Sequence, residues 1–214
     1  MGENELAEAL KGAIFRVPTA TGEQPVWQPA DEYLSGNVRA KLRIAELTAA
    51  SDPSYIPNIE ALRCAQPPDL GAAEISVRLG ATWIPADDVR EFVLHLLDPP
   101  YWVREQVAVR YSAATAQWRI EGKGRDGSNV RALSTRMIAY HIIEETLNLK
   151  DARVVDYVED ENGKKKPVLN KKETAVALAK QEAIKAAFKE WVFSDQARRE
   201  RLVAAYNERF NAIR

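Results

Sequence analysis

The spacing of apolar residues changes four times along this chain, and that alternation constrains the fold more than any other feature. Leu34, Val38, Leu42 and Ala45 fall at steps of four and three, which makes one helical stripe. Val89, Phe92, Val93, Leu96 and Leu97 repeat the pattern of a buried helical face. The period then drops to two. Val107, Val109 and Tyr111 alternate with Ala108 and Arg110, and Trp118 and Ile120 alternate with Gln117, Arg119 and Glu121. Such alternation describes an antiparallel hairpin with one wet face. Helical spacing returns over residues 135–148, with Ile138, Ile142 and Leu149 along one side. A second hairpin follows, with Val154, Val155 and Tyr157 on one limb and Val168 and Leu169 on the other, joined through Asn162-Gly163. The rest is helical again. The expected fold is therefore α+β, mostly helical with two small antiparallel β-hairpin units and no parallel sheet.

Cap and turn chemistry sets the expected boundaries. Residues 1–30 read as an irregular N-terminal arm: a short helix fits 3–11, but 16–30 hold three prolines with Gly22 and Trp27. Residues 31–100 form a helical region, and 101–214 an α+β region ending in two long helices, the whole being one compact module cut from a longer protein. Gly36-Asn37 interrupts the first stripe, which makes Ser35 the expected N-cap of a fresh helix. A short helix fits 58–65 before Pro67-Pro68. Asp69 suits the N-cap of a helix through Leu79, with Gly80 as its left-handed C-terminal residue. Pro85 suits the start of the next helix, and Asp98-Pro99-Pro100 ends it. A third short strand fits 130–133. Asn170, with Glu173 three residues on, forms a capping box for a helix whose expected core face is Val176, Ile184, Phe188, Trp191 and Val192. Ser194 or Asp195 caps the last helix, with a stripe of Leu202, Tyr206, Phe210 and Ile213. Arg214 follows that stripe with no stop signal, so the chain is expected to continue past it.

Composition narrows the chemistry. No apolar run is long enough to span a membrane. The opening MGENELAEALKGAIF has acids where a secretory leader needs bases, which points to a cytoplasmic module. A single cysteine, Cys64, excludes a disulfide framework and a cysteine-based zinc site within the chain, and its neighbours Leu62 and Ala65 mark it as a small buried residue. With only His95 and His141 available, no metal and no cofactor is expected. The net charge of -1 hides an asymmetry. Residues 1–163 hold 17 Lys+Arg and 25 Asp+Glu, whereas residues 164–214 hold 13 and 6. A basic C-terminal arm beside an acidic body either meets an acidic partner or is simply solvated. The candidate phosphate contacts on it are Lys164, Lys165, Lys166, Lys171, Lys172, Arg198, Arg199 and Arg201. The three arginines occupy the first turns of a helix, where the dipole disfavours cations, so a negative partner would offset that cost.

Three stretches imitate catalytic motifs. Residues 98–101 read DPPY, the tetrapeptide with which amino-group DNA methyltransferases hold a flipped base. Here an amphipathic helix precedes it, and the better reading is a helix stop followed by a buried aromatic pair, Tyr101 and Trp102. Residues 122–127 match G-x-G-x-x-G, but no helix opens on the third glycine, so a hairpin loop carrying Lys123 and Arg125 is expected. His141, Glu144 and Glu145 share a helix face and form at most a partial metal site.

Several ordered strings have a wider likeness. They are YLSGNVRAKL at 33–42, DLGAAEISVRLGATWIP at 69–85, YHIIEETLNLKDARVVDYVEDENGKKKPVLNKKETA at 140–175 and YNERFNAIR at 206–214. In that order they resemble a segment of large bacterial mobile-element and phage proteins. Those proteins join an adenine-specific DNA methyltransferase to a Snf-type DEAD/DEAH-box helicase motor, and the segment lies just upstream of the motor. The resemblance implies no catalytic residue here. It implies a non-catalytic, helicase-associated accessory module that positions or weakly contacts DNA, or a docking domain that joins methyltransferase to motor without touching DNA.

Overall fold

The computed structural model describes residues 9–18, 26–122, 139–159 and 163–214. The helices of more than one turn are α1 (Val38–Ala49), α2 (Ile56–Ala65), α3 (Ala86–Leu97), α4 (Ala139–Leu147), α5 (Lys171–Val192) and α6 (Gln196–Phe210). Three antiparallel hairpins accompany them: β1 (Ile14–Val17) with β2 (Val26–Pro29), β3 (Ala108–Ser112) with β4 (Gln117–Glu121), and β5 (Val155–Glu159) with β6 (Lys165–Leu169). The fold is α+β and helix-dominated, and among the described residues the sheets are small and antiparallel. The first hairpin lies in the arm expected to be irregular. Phe15 has to leave water, and it does so by stacking on Tyr33 with ring centroids 5.1 Å apart. The chain forms two compact units, Met1–Ile75 with Val203–Arg214, and Ser76–Leu202.

In the first unit, Phe15, Tyr33, Val38, Ala45, Leu62 and Ala65 make the core. Asn37, not Ser35, caps α1, its Oδ1 accepting from the Ala40 N–H at 2.9 Å. Gly36 turns the chain ahead of it and exchanges backbone hydrogen bonds with Arg214. The expected helix over 69–79 is absent. Asn207 captures the Leu70 N–H at 2.8 Å and donates to the Leu70 carbonyl at 2.9 Å, while Asn211 donates to the Pro68 carbonyl at 2.8 Å. Asp69 pairs with Arg39 and is no longer available to cap. Asn207 of α6 and Asn211 just past its end thus satisfy backbone that a helix would have satisfied internally. Cys64 is exposed, not buried, because Leu62 and Ala65 take the inward positions of α2.

In the second unit, Val109 faces Ile120 and Tyr111 faces Trp118 across β3–β4, as the alternation requires. The free edge of β4 meets α4. The Trp118 N–H donates to Asn148 Oδ1 at 2.8 Å, Asn148 Nδ2 returns a bond to the Trp118 carbonyl, and the Ile120 N–H donates to Glu144 at 2.7 Å. Two side chains four residues apart on one helical face stand in for a third strand. The face that α5 buries is Ala177, Gln181, Ile184, Phe188 and Val192; Val176 is exposed. Phe188 meets Phe92 of α3 edge-on at 5.0 Å. Tyr101 and Trp102 are exposed, since the Pro99-Pro100 turn throws them off the end of α3. Of the G-x-G-x-x-G stretch only Gly122 is described; Lys123, Arg125 and the strand expected at 130–133 lie outside the described residues. The buried positions of α6 are Arg198, Leu202 and Asn207. Phe210 and Ile213, expected in its apolar stripe, are exposed.

Candidate interaction surface

The β5–β6 ribbon is rooted at one end and bare at the other. At its root, the Asn170 N–H donates to the Val154 carbonyl at 2.9 Å and the Val154 N–H donates to Thr174 Oγ1 at 3.1 Å. Ala152, Val154 and Ala177 close a small cluster there. Asn170 also caps α5, accepting from the Glu173 N–H at 3.0 Å. Beyond Val155 no other described element covers the ribbon, and nearly every residue on it is exposed. The register places Val155 opposite Leu169 and Tyr157 opposite Pro167, so these four share one face. Tyr157 is 67% exposed, and Val158 and Val168 on the other face are about as open as Leu169.

The eight basic residues separate into three groups. Lys164, Lys165 and Lys166 lie on the ribbon beside its acidic limb: Lys165 faces Glu159 in register, and Lys164 and Lys166 each have an interaction partner. Lys171 and Lys172 are exposed on the first turn of α5. The arginines are engaged by the protein itself. Arg198 is buried; its Nε donates to the Val192 carbonyl at 2.9 Å, and another nitrogen donates to the Trp191 carbonyl at 2.8 Å. Its guanidinium lies 3.5 Å from the centre of the Trp191 ring. Arg199 donates to the Phe193 carbonyl at 3.3 Å. These two therefore neutralise the negative C-terminal end of α5. Arg201 grips Asp88 with two bonds, of 2.6 and 2.9 Å. The negative partner that the helix dipole calls for at the start of α6 lies inside the unit, and Asp195 supplies the cap by accepting from the Arg198 N–H at 2.8 Å. Sequence reasoning missed this because partners at residues 88 and 191–193 come together only in the folded unit.

Two acidic residues of the motif-like stretches have partners. Asp98 pairs with Arg104, and Glu144 is held by the β4 edge. Among the described residues no group of three His, Cys, Asp or Glu side chains stands close enough to hold a metal, and no helix is long and apolar enough to cross a membrane. A family model described as a domain of unknown function (DUF8437) matches residues 78–212. No curated protein and no solved structure matches the chain.

Proposed function

The chain belongs to the DUF8437 family, and from that premise we propose a non-catalytic docking role, in which the second unit seats against a neighbouring domain of a larger helicase–methyltransferase protein. The observation that carries this reading is the β5–β6 ribbon. Val155, Tyr157, Pro167 and Leu169 form one exposed face on a two-stranded ribbon, an arrangement that wastes apolar surface unless a partner covers it. A tyrosine at the centre of such a face supplies large contact area at low entropic cost. The ribbon's pairing of one acidic limb with one basic limb favours a protein surface over a polyanion. Adjoining segments of the parent, added as separate chains, should bind the isolated module in calorimetry. Replacing Tyr157 and Leu169 together by serine should weaken that binding about tenfold or more. Undiminished affinity in the double variant would remove the ribbon from the interface and end this reading.

Weak DNA contact is the second reading, and Lys171 and Lys172 are the observation favouring it: both are exposed cations on the first turn of a helix, where the dipole gives them no support. If they and Lys165 meet phosphates, changing the three to alanine should flatten the salt dependence of duplex binding by about 0.9 per lost contact. Absence of duplex binding at low salt would discard this second reading and leave the first in place.

A further inference from the structure

A groove of about 420 Å³ opens on the second unit where three pieces of backbone are pinned together. The first is the exit of α4. There the Leu149 N–H donates to the Thr146 carbonyl at 3.1 Å and the Lys150 N–H to the Glu145 carbonyl at 2.9 Å, the double bond pattern that ends a helix through a left-handed residue. Glycine is the usual occupant of that position, yet here Leu149 adopts φ +58° and leaves 61% of its surface exposed on the groove. The second piece is α5. Its buried Gln181 accepts from the Ala152 N–H at 2.9 Å and donates to the Lys150 carbonyl at 2.9 Å and to Thr146 Oγ1 at 3.1 Å. That clamp sets Lys150 across from the next turns of α5. The third is the segment ending at Gly80, which has φ +89° and lies so close to Leu147 that a Cβ would overlap its carbonyl. The Gly80 carbonyl accepts from Trp118 Nε1 at 3.2 Å, and this brings Arg78 and Leu79 to the groove.

The charges around this groove are incompletely matched. Lys185 pairs with Glu182 at 2.7 Å. Arg78, Lys150 and Lys189 have no ion pair with any described residue, and Asp151 is the remaining carboxylate at the rim. Three unpaired cations around one concavity repel one another until an anion joins them. Beside them lies an apolar wall of Leu79, Leu149 and Ala186. A left-handed leucine that is also exposed carries a conformational cost with no gain in burial, which is the mark of a residue held for contact with something else.

We infer that this groove binds a phosphomonoester carried on a small flat or apolar body. The phosphate is met by Arg78, Lys150 and Lys189, and the body rests on Leu149 and Ala186. Side-chain cations do this work without the glycine-rich amide cradle that the sequence lacks. The same chemistry is presented by a free nucleotide and by the phosphorylated end of a nucleic-acid strand. The site is separate from the ribbon and from Lys165, Lys171 and Lys172.

The test is calorimetric titration of the full chain with adenosine monophosphate, with adenosine, and with a single-stranded oligonucleotide with and without a terminal phosphate. A phosphorylated probe should bind saturably, and its unphosphorylated counterpart should bind about tenfold or more weakly. Replacing Lys150 and Lys189 by alanine should abolish the difference, whereas replacing Lys165, Lys171 and Lys172 should leave it intact. Binding of the nucleotide identifies a free ligand as the source; binding of the phosphorylated strand alone identifies a strand end; either outcome upholds the site. Leu149→Gly should raise the melting temperature while lowering affinity, a split that a merely structural leucine would not produce. The inference fails if neither phosphorylated probe binds, if the Lys150 and Lys189 substitutions change nothing, or if Leu149→Gly binds as well as the parent.

Discussion

Arg201 holds a carboxylate that is almost sealed from water, for Asp88 is 2% exposed. The hydrogen bond to Asp88 is the main reason that the Arg201 guanidinium keeps its proton more tightly than usual, against the opposing effect of burial. Arg201→Ala strands that carboxylate, so a loss of about 2–4 kcal/mol is expected in urea unfolding; a loss near zero would show that water reaches Asp88. Tyr33 makes a matching case at alkaline pH. Burial raises its phenol above the ordinary range, and the hydrogen bond from Asn58 only partly offsets that. The folded chain thus holds the phenolic proton more tightly than the unfolded chain does. Its contribution to stability is complete below about pH 10 and is lost as pH climbs through the raised value. Tyr33→Phe should remove this alkaline slope while costing about 1 kcal/mol at neutral pH, because Asn58 Nδ2 loses an acceptor. Gly80 tolerates no side chain, since both its φ and the Leu147 carbonyl oppose one. Gly80→Ala should cost roughly 2–4 kcal/mol, and an unchanged unfolding midpoint would mean that the segment slides away from α4 freely.

At the scale of elements, polar side chains do work that a reader of hydropathy assigns to apolar ones. Gln181 sits on the buried face of α5 and serves three backbone or hydroxyl partners at once. Gln181→Ala leaves the Ala152 N–H and the Lys150 carbonyl unmet, which should cost about 2–4 kcal/mol by chemical denaturation. Gln181→Met, which keeps the volume, should recover little of that loss, and full recovery would mean that packing alone matters there. The β5–β6 ribbon behaves in the opposite sense. Its apolar residues are exposed, so Tyr157→Ser with Leu169→Ser should shift stability by less than about 1 kcal/mol. A large loss of stability in that variant would make the ribbon a part of the unit's own core.

The whole molecule brings a basic stretch of sequence and an acidic limb into registry, and this decides how its charge is displayed. Residues 164–214 are strongly basic, yet Arg198, Arg199 and Arg201 are spent on α5 and Asp88, and Lys164 and Lys166 each have an interaction partner. The salt dependence of any duplex binding should therefore correspond to about three phosphates or fewer, far below the eight that a fully displayed arm would give. Substituting the three arginines should lower the melting temperature without moving that slope, and substituting Lys165, Lys171 and Lys172 should do the reverse. A slope that drops with the arginines would mean that the unit opens when it meets DNA.

The class of fold was legible in the sequence because period and capping are local. Val109, Tyr111, Trp118 and Ile120 declare the β3–β4 hairpin, and Asn170 declares the start of α5, without reference to anything distant. Positions whose partners lie far along the chain could not be read in this way. Asp69 suits a helix cap until Arg39 claims it, and the backbone of Pro68 and Leu70 is bonded by asparagines more than a hundred residues later. The arginines of α6 read as a phosphate surface until the end of α5 is folded beside them. Lys164, Lys165 and Lys166 are consecutive and so stand out in the sequence, whereas the cations that line a groove, Arg78, Lys150 and Lys189, are separated by 72 and 39 residues and carry no common motif. Local chemistry is written in consecutive residues, and a binding surface is written in the distances between segments, which only packing sets.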